Sequence, residues 1–136
     1  MNLLKVFDVA GSGMSAQSVR LNATASNLAN LNSVSSTPEG AYRARHPVFE
    51  TALQGVGNDQ SAGVRVAGVV ESAVEPPSVY DPGHPRANDE GYVFHSNVDL
   101  GSEMVNMISA SRAFQNNVEI LNTTRDLMLR TLQMGN

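Results

Sequence analysis

The 136-residue sequence contains no cysteine and no tryptophan, and only 16% of its residues are charged. Without cysteine there is no disulfide framework, no thiolate metal site and no cysteine nucleophile, and the redox compartment stays open. No basic cluster occurs and the net charge is −4, so nucleic acid and anionic membrane surfaces are not expected partners. No stretch approaches the ~20 apolar residues that span a bilayer, so direct membrane insertion is not expected. Lys5 and Asp8 interrupt the one apolar run near the start, Leu3 to Ala10, which argues against a cleavable signal peptide. By these rules alone the chain reads as cytoplasmic. A hydrophobic content of 41% argues against wholesale disorder, and the length suits one ordinary domain.

Against this sparse background, two helical stripes stand out at opposite ends. Phe7, Met14, Leu21 and Leu28 recur every seven residues, and so do Leu100, Met107, Phe114, Leu121 and Met128. Seven-residue spacing keeps apolar side chains on one seam, the pattern of helices that pair along their length. Asn2 is a suitable cap for a first helix over Leu3 to Leu31, weakened locally by Gly11 and Gly13 and ended well before Pro38. Asp99 caps a last helix reaching Met134, with Glu103 in its first turn and Gly135 as terminator. Helices of about 29 and 36 residues measure ~43 and ~54 Å, longer than the roughly 37 Å diameter of a compact domain this size. An elongated molecule follows.

The fold expected is mainly α with a small β-rich insert: an assembly helix over 1–32, a Gly/Pro-rich central region of short strands over 33–98, and a second assembly helix over 99–136. The long helices pair as a coiled-coil-like hairpin. Strand candidates are Tyr42 to Phe49, Val64 to Val70 and Val79-Tyr80, punctuated by Pro76-Pro77 and by Asp81-Pro82-Gly83-His84-Pro85.

The first helix is also short of charge. Up to Pro38 only Lys5, Asp8 and Arg20 are charged, and neutral groups such as Ser15, Ser18, Asn22, Asn27 and Asn30 fill the polar face. A solvated face normally carries Lys and Glu at i, i+4 spacing. Neutral amides suit a face buried against other chains, where a charge is costly and a hydrogen bond is not. The plainer alternative is a poor surface helix.

Four motifs invite an enzymatic reading, and each has a simpler one. Gly11-x-Gly13-x-x-Ala16 mimics a dinucleotide-binding turn, but the chain lacks the alternating strands and helices of that fold. His46, His84 and His95 share no ligand spacing, so no metal is expected. Ser12 and Ser15 sit in no nucleophile elbow, and turn chemistry accounts for Asp81-Pro82-Gly83. No catalytic, metal or cofactor residue is expected.

The terminal segments carry a resemblance. Ser12 to Asn32, with Ser26-Asn27-Leu28-Ala29-Asn30 inside it, is similar to the N-terminal signature of bacterial flagellar rod and hook proteins. Glu103-Met104-Val105 followed by Ala113-Phe114-Gln115-Asn116-Asn117 resembles their C-terminal signature. Tyr80-Asp81-Pro82-Gly83-His84-Pro85, Ala87, Gly91-Tyr92-Val93 and Asn97-Val98-Asp99 resemble the short proximal-rod members of that family. Ser96 departs from the family, which usually has proline there, and this is expected to loosen the approach to the last helix.

The resemblance implies a non-enzymatic structural subunit of the periplasmic rod, exported by the flagellar type III apparatus without a cleaved signal peptide. It overrules the cytoplasmic reading. Its implied partners are further copies, other rod subunits, the membrane-ring and rod adaptor components, and the export apparatus. The candidate subunit-interface residues are Phe7, Met14, Leu21, Asn22, Asn27, Leu28, Asn30, Leu100, Met104, Met107, Phe114, Gln115, Asn116, Val118, Leu121, Met128 and Leu132. Asp81, Pro82, His84, Pro85, Ala87, Gly91 and Tyr92 form the family-specific loop. The alternatives are another flagellar axial subunit or a small nucleotide-binding enzyme.

Overall fold

A computed structural model describes residues 2–55 and 60–135. Helix α1 spans Leu3–Ala29 and helix α2 spans Leu100–Met134. At 1.5 Å per residue they are ~40 and ~52 Å long. Asn2 Oδ1 accepts the Leu4 N–H at 3.2 Å and so caps α1. Its other end comes slightly sooner than the apolar pattern suggests, because the Asn30 N–H turns back to the Ser26 and Asn27 carbonyls. Asp99 caps α2: Oδ2 accepts the Ser102 N–H at 2.9 Å and the Ser102 hydroxyl at 2.6 Å. Those two bonds favour the carboxylate and hold the Asp99 pKa below its ordinary value.

Five strands lie between the helices. β1 (Val34–Ser35), β5 (Tyr92–His95) and β4 (Ser78–Tyr80) form an antiparallel sheet in that order. β2 (Arg45–Gln54) and β3 (Ser61–Glu71) form a separate antiparallel pair with a register shift at Val48/Phe49. The candidate strands at residues 42–49, 64–70 and 79–80 thus extend or shift by several residues. β1 and β5 carry no strong alternation and are found only by pairing with each other and with β4.

Helix α1 packs on α2, β2 and β3. The two helices run antiparallel: a side chain at Gly13 would collide with Asn117, and Arg20 Nη2 donates to Asn106 Oδ1 at 2.9 Å. Gly13 therefore lets the helices approach closely, which offsets the helix propensity lost by omitting alanine. Against β3, the Ser12 hydroxyl donates to the Val9 carbonyl at 2.7 Å and accepts the Val64 N–H at 3.1 Å.

The buried apolar side chains among the described residues are Ala10, Ala16, Ala41, Ala44, Pro76, Val93 and Ala110. Five are alanines, so each returns little hydrophobic free energy. Apart from Val93 and Pro76, the larger apolar groups of the described residues lie at half-buried or exposed positions.

Candidate assembly surface

Each helix presents an inner and an outer face. On α2 the inner positions are Glu103, Met107, Ala110, Phe114, Asn117, Leu121, Thr124 and Met128, all buried or half-buried, at alternating four- and three-residue spacing. On α1 the corresponding set is Leu3, Phe7, Ala10, Met14, Gln17, Leu21, Thr24 and Leu28. Large apolar groups thus alternate with small or polar ones along each helix. Val118 is also half-buried.

Glu103 faces inward rather than simply complementing the helix dipole. It is 2% exposed, with Oε1 3.9 Å from His46 Nε2 and Oε2 without a hydrogen bond among the described residues.

The outer faces differ in kind. Leu100, Met104, Val105 and Ile108 are exposed on the first part of α2, and Leu127, Leu129, Leu132 and Met134 near its end. Gln115 and Asn116 are exposed between them. A shallow groove of 440 Å³ is lined by Val105, Ile108, Ser109, Arg112, Ala113 and Asn116. The outer face of α1 carries Leu4, Asp8, Gly11, Ser15, Ser18, Asn22, Ala25 and Ala29, with no large side chain after Leu4 except the amide of Asn22.

The amides of α1 separate into three situations. Asn22 is exposed. Asn30 is half-buried and Nδ2 donates to the Ser26 carbonyl at 2.9 Å. Asn27 is fully buried inside the chain: Oδ1 accepts the Arg45 N–H at 2.8 Å and the Tyr42 hydroxyl at 2.9 Å, and Nδ2 donates to the Arg45 carbonyl at 2.9 Å. Its amide is occupied by the start of β2, so in this conformation it has no surface left for a neighbouring subunit.

The loop between β4 and β5 folds on itself. Asp81, Pro82 and Pro85 are exposed, while His84 and Ala87 are half-buried. His84 Nδ1 accepts the Arg86 N–H at 3.0 Å. Asn88 Oδ1 accepts the N–H groups of Glu90 and Tyr92 at 3.1 and 2.9 Å. Gly91 is buried at φ 84°, where a Cβ would lie 2.8 Å from the Tyr80 ring. Only glycine suits both the backbone and the space. Tyr80 and Tyr92 meet edge to face, with centroids 5.3 Å apart.

Comparison with known proteins decides the family. Residues 7–35 match the family described as flagella basal body rod protein, and residues 89–134 match the flagellar basal body rod FlgEFG protein C-terminal family. The chain is 50% identical to the flagellar basal-body rod protein FlgC of Yersinia enterocolitica over 135 residues, 99% of each chain. It is 48% identical to FlgC of Salmonella typhimurium, again over 99% of each. It is 40% identical to FlgC of Buchnera aphidicola subsp. Acyrthosiphon pisum over 99% of each chain. The chain belongs to the FlgC family.

Both matched segments sit on one continuous chain, and Ser96 lies at the approach to α2. It is buried, its hydroxyl donates to the Leu31 carbonyl at 2.7 Å and its N–H to the Ser33 carbonyl at 3.2 Å. Ser96 ties the approach of α2 to the end of α1, which corrects the expectation of a loosened entry. Ser96→Ala, which keeps the N–H bond and removes the hydroxyl, is expected to cost about 1 kcal/mol. Urea unfolding of the isolated chain checks it, and an unchanged midpoint would show that the hydroxyl bond adds nothing.

Asn97 was legible only through the resemblance and Tyr42 only as part of a strand candidate. Asn97 Oδ1 accepts the Ala44 N–H at 2.6 Å and Nδ2 donates to the Val74 carbonyl at 2.7 Å. Asn27, Tyr42 and Asn97 together set where the β2–β3 pair leaves the helices. An amide satisfied by distant backbone, as at Asn27 and the half-buried Asn97, has no short-range signature, since its partners lie 18 to 53 residues away.

Proposed function

We propose that the chain is a structural subunit of the proximal flagellar rod that polymerises through its two terminal helices, which pair as a coiled-coil-like hairpin. The observation that carries this reading is the combination of full-length relationship to FlgC proteins with exposed apolar groups along α2. Monomeric proteins seldom leave such groups clustered. The four- and three-residue burial rhythm on both helices supports the hairpin.

In this reading the chain works by packing and transmits torque without catalysis, metal or cofactor. Its neighbours are further copies, other rod subunits and the adaptor between the membrane ring and the rod. It reaches the periplasm through the flagellar type III apparatus, without a cleaved signal peptide. A molecule with little buried apolar volume unfolds readily, which suits passage through a narrow channel. Deleting the gene tests the reading: swimming and rod formation should both stop, and a plasmid copy should restore both. Intact rods in the deletion strain would overturn it.

A further inference from the structure

The two outer helix faces suit each other. Met104, Val105 and Ile108 form an exposed apolar ridge whose Val105 and Ile108 also wall the shallow α2 groove, and Arg112, on the same groove, is the first exposed charge along α2 after it. The outer face of α1 carries only small side chains at Gly11, Ser15 and Ser18, with Ser15 at its edge beside the β2–β3 pair, and Asp8 is its one exposed charge. One face offers projecting apolar groups flanked by a cation; the other offers shallow relief flanked by an anion. Both occur on every copy.

Resting on the reading of the chain as a rod subunit, we infer that the α2 ridge of one copy seats on the outer face of α1 of a second copy, with Arg112 beside Asp8. If these helices run antiparallel, as they do within the chain, that pairing sets the register. Val105 falls at Ser15, Ile108 beside Gly11, and Ser102 at Ser18. The small groups let the apolar ridge approach closely, and the charged ends exclude a slipped register. Within the chain, Arg20 meets Asn106 and Gly13 meets Asn117. Relative to those contacts the second copy is displaced by roughly 10 Å along the helix axis. Different faces meet on the two copies, so the contact is head-to-tail and propagates instead of closing into a pair.

A charge exchange tests the contact in a strain lacking the gene, with completed rods counted in isolated basal bodies. Asp8→Arg and Arg112→Asp each set like charges together and should lower rod number about tenfold. Both side chains are exposed, so the purified monomers should melt as the parent does. The double variant restores opposite charges and should recover most rods. Gly11→Trp supplies a steric arm: a Cβ there meets nothing within 4 Å in the monomer, so it should block rods without lowering monomer melting. If either reversal builds rods normally, or if the double variant does no better than the singles while the parent plasmid builds rods, this contact is overturned and the rod reading stands. If the strain lacking the gene builds rods unaided, both fail.

Discussion

Replacing Asn27 with alanine should lower the unfolding free energy of the isolated chain by about 3 kcal/mol. The amide makes three hydrogen bonds, to the Arg45 N–H, the Arg45 carbonyl and the Tyr42 hydroxyl, at a position with no exposure. Alanine leaves the Arg45 N–H and carbonyl without the amide and the Tyr42 hydroxyl with only its contact to the Ser26 hydroxyl at 3.1 Å, and an unsatisfied buried group costs more than the net value of the bond it lost. Asn27→Lys puts a buried ammonium where a satisfied neutral amide sits, and it should destabilise further. Asn22→Lys is the control: it is exposed and should change stability by no more than about 0.5 kcal/mol. Urea unfolding of the three variants checks the set. An Asn27→Lys chain with the parent midpoint would mean that this amide is not built into the monomer.

That contrast marks the limit of what the sequence tells. Asn22, Asn27 and Asn30 look alike in a helical pattern, because composition says that a face is neutral without saying what covers it. Helix existence was legible because Phe7 to Leu28 and Leu100 to Met128 repeat over four turns or more, and because Asn2 and Asp99 are local caps. The β1–β5–β4 sheet was less legible, since two of its strands are only 2 and 3 residues long and depend on partners distant in sequence. Glu103 shows the same limit. Its place in the first turn is readable from sequence, whereas its burial beside His46 depends on a strand residue distant in sequence. The exposed apolar groups of α2 were not legible: the seven-residue seam picks out Met107, Phe114, Leu121 and Met128, all half-buried, but not Val105 and Ile108, exposed on the opposite side.

The two sides of α2 should respond differently to the same substitution. Phe114 is half-buried among the inner positions, between Ala110 and Asn117. Phe114→Asp removes apolar contact and brings a carboxylate toward the α1 seam, so the isolated chain should lose about 3 kcal/mol. Swimming should fail with it, because too little folded subunit remains and the helix pair is disturbed. Ile108 is 54% exposed on the outer side. Ile108→Asp meets only solvent in the free chain and should stay within about 0.5 kcal/mol of the parent. In the rod the same carboxylate would crowd the second copy's Asp8 and compete with it for Arg112, so rods should fail although the monomer is sound. Monomer unfolding and rod counts on both variants separate folding from assembly. Equal loss of monomer stability in the two would mean that the outer side of α2 is already covered within the chain. Normal rods with Ile108→Asp would mean that this side faces solvent in the assembled rod as well.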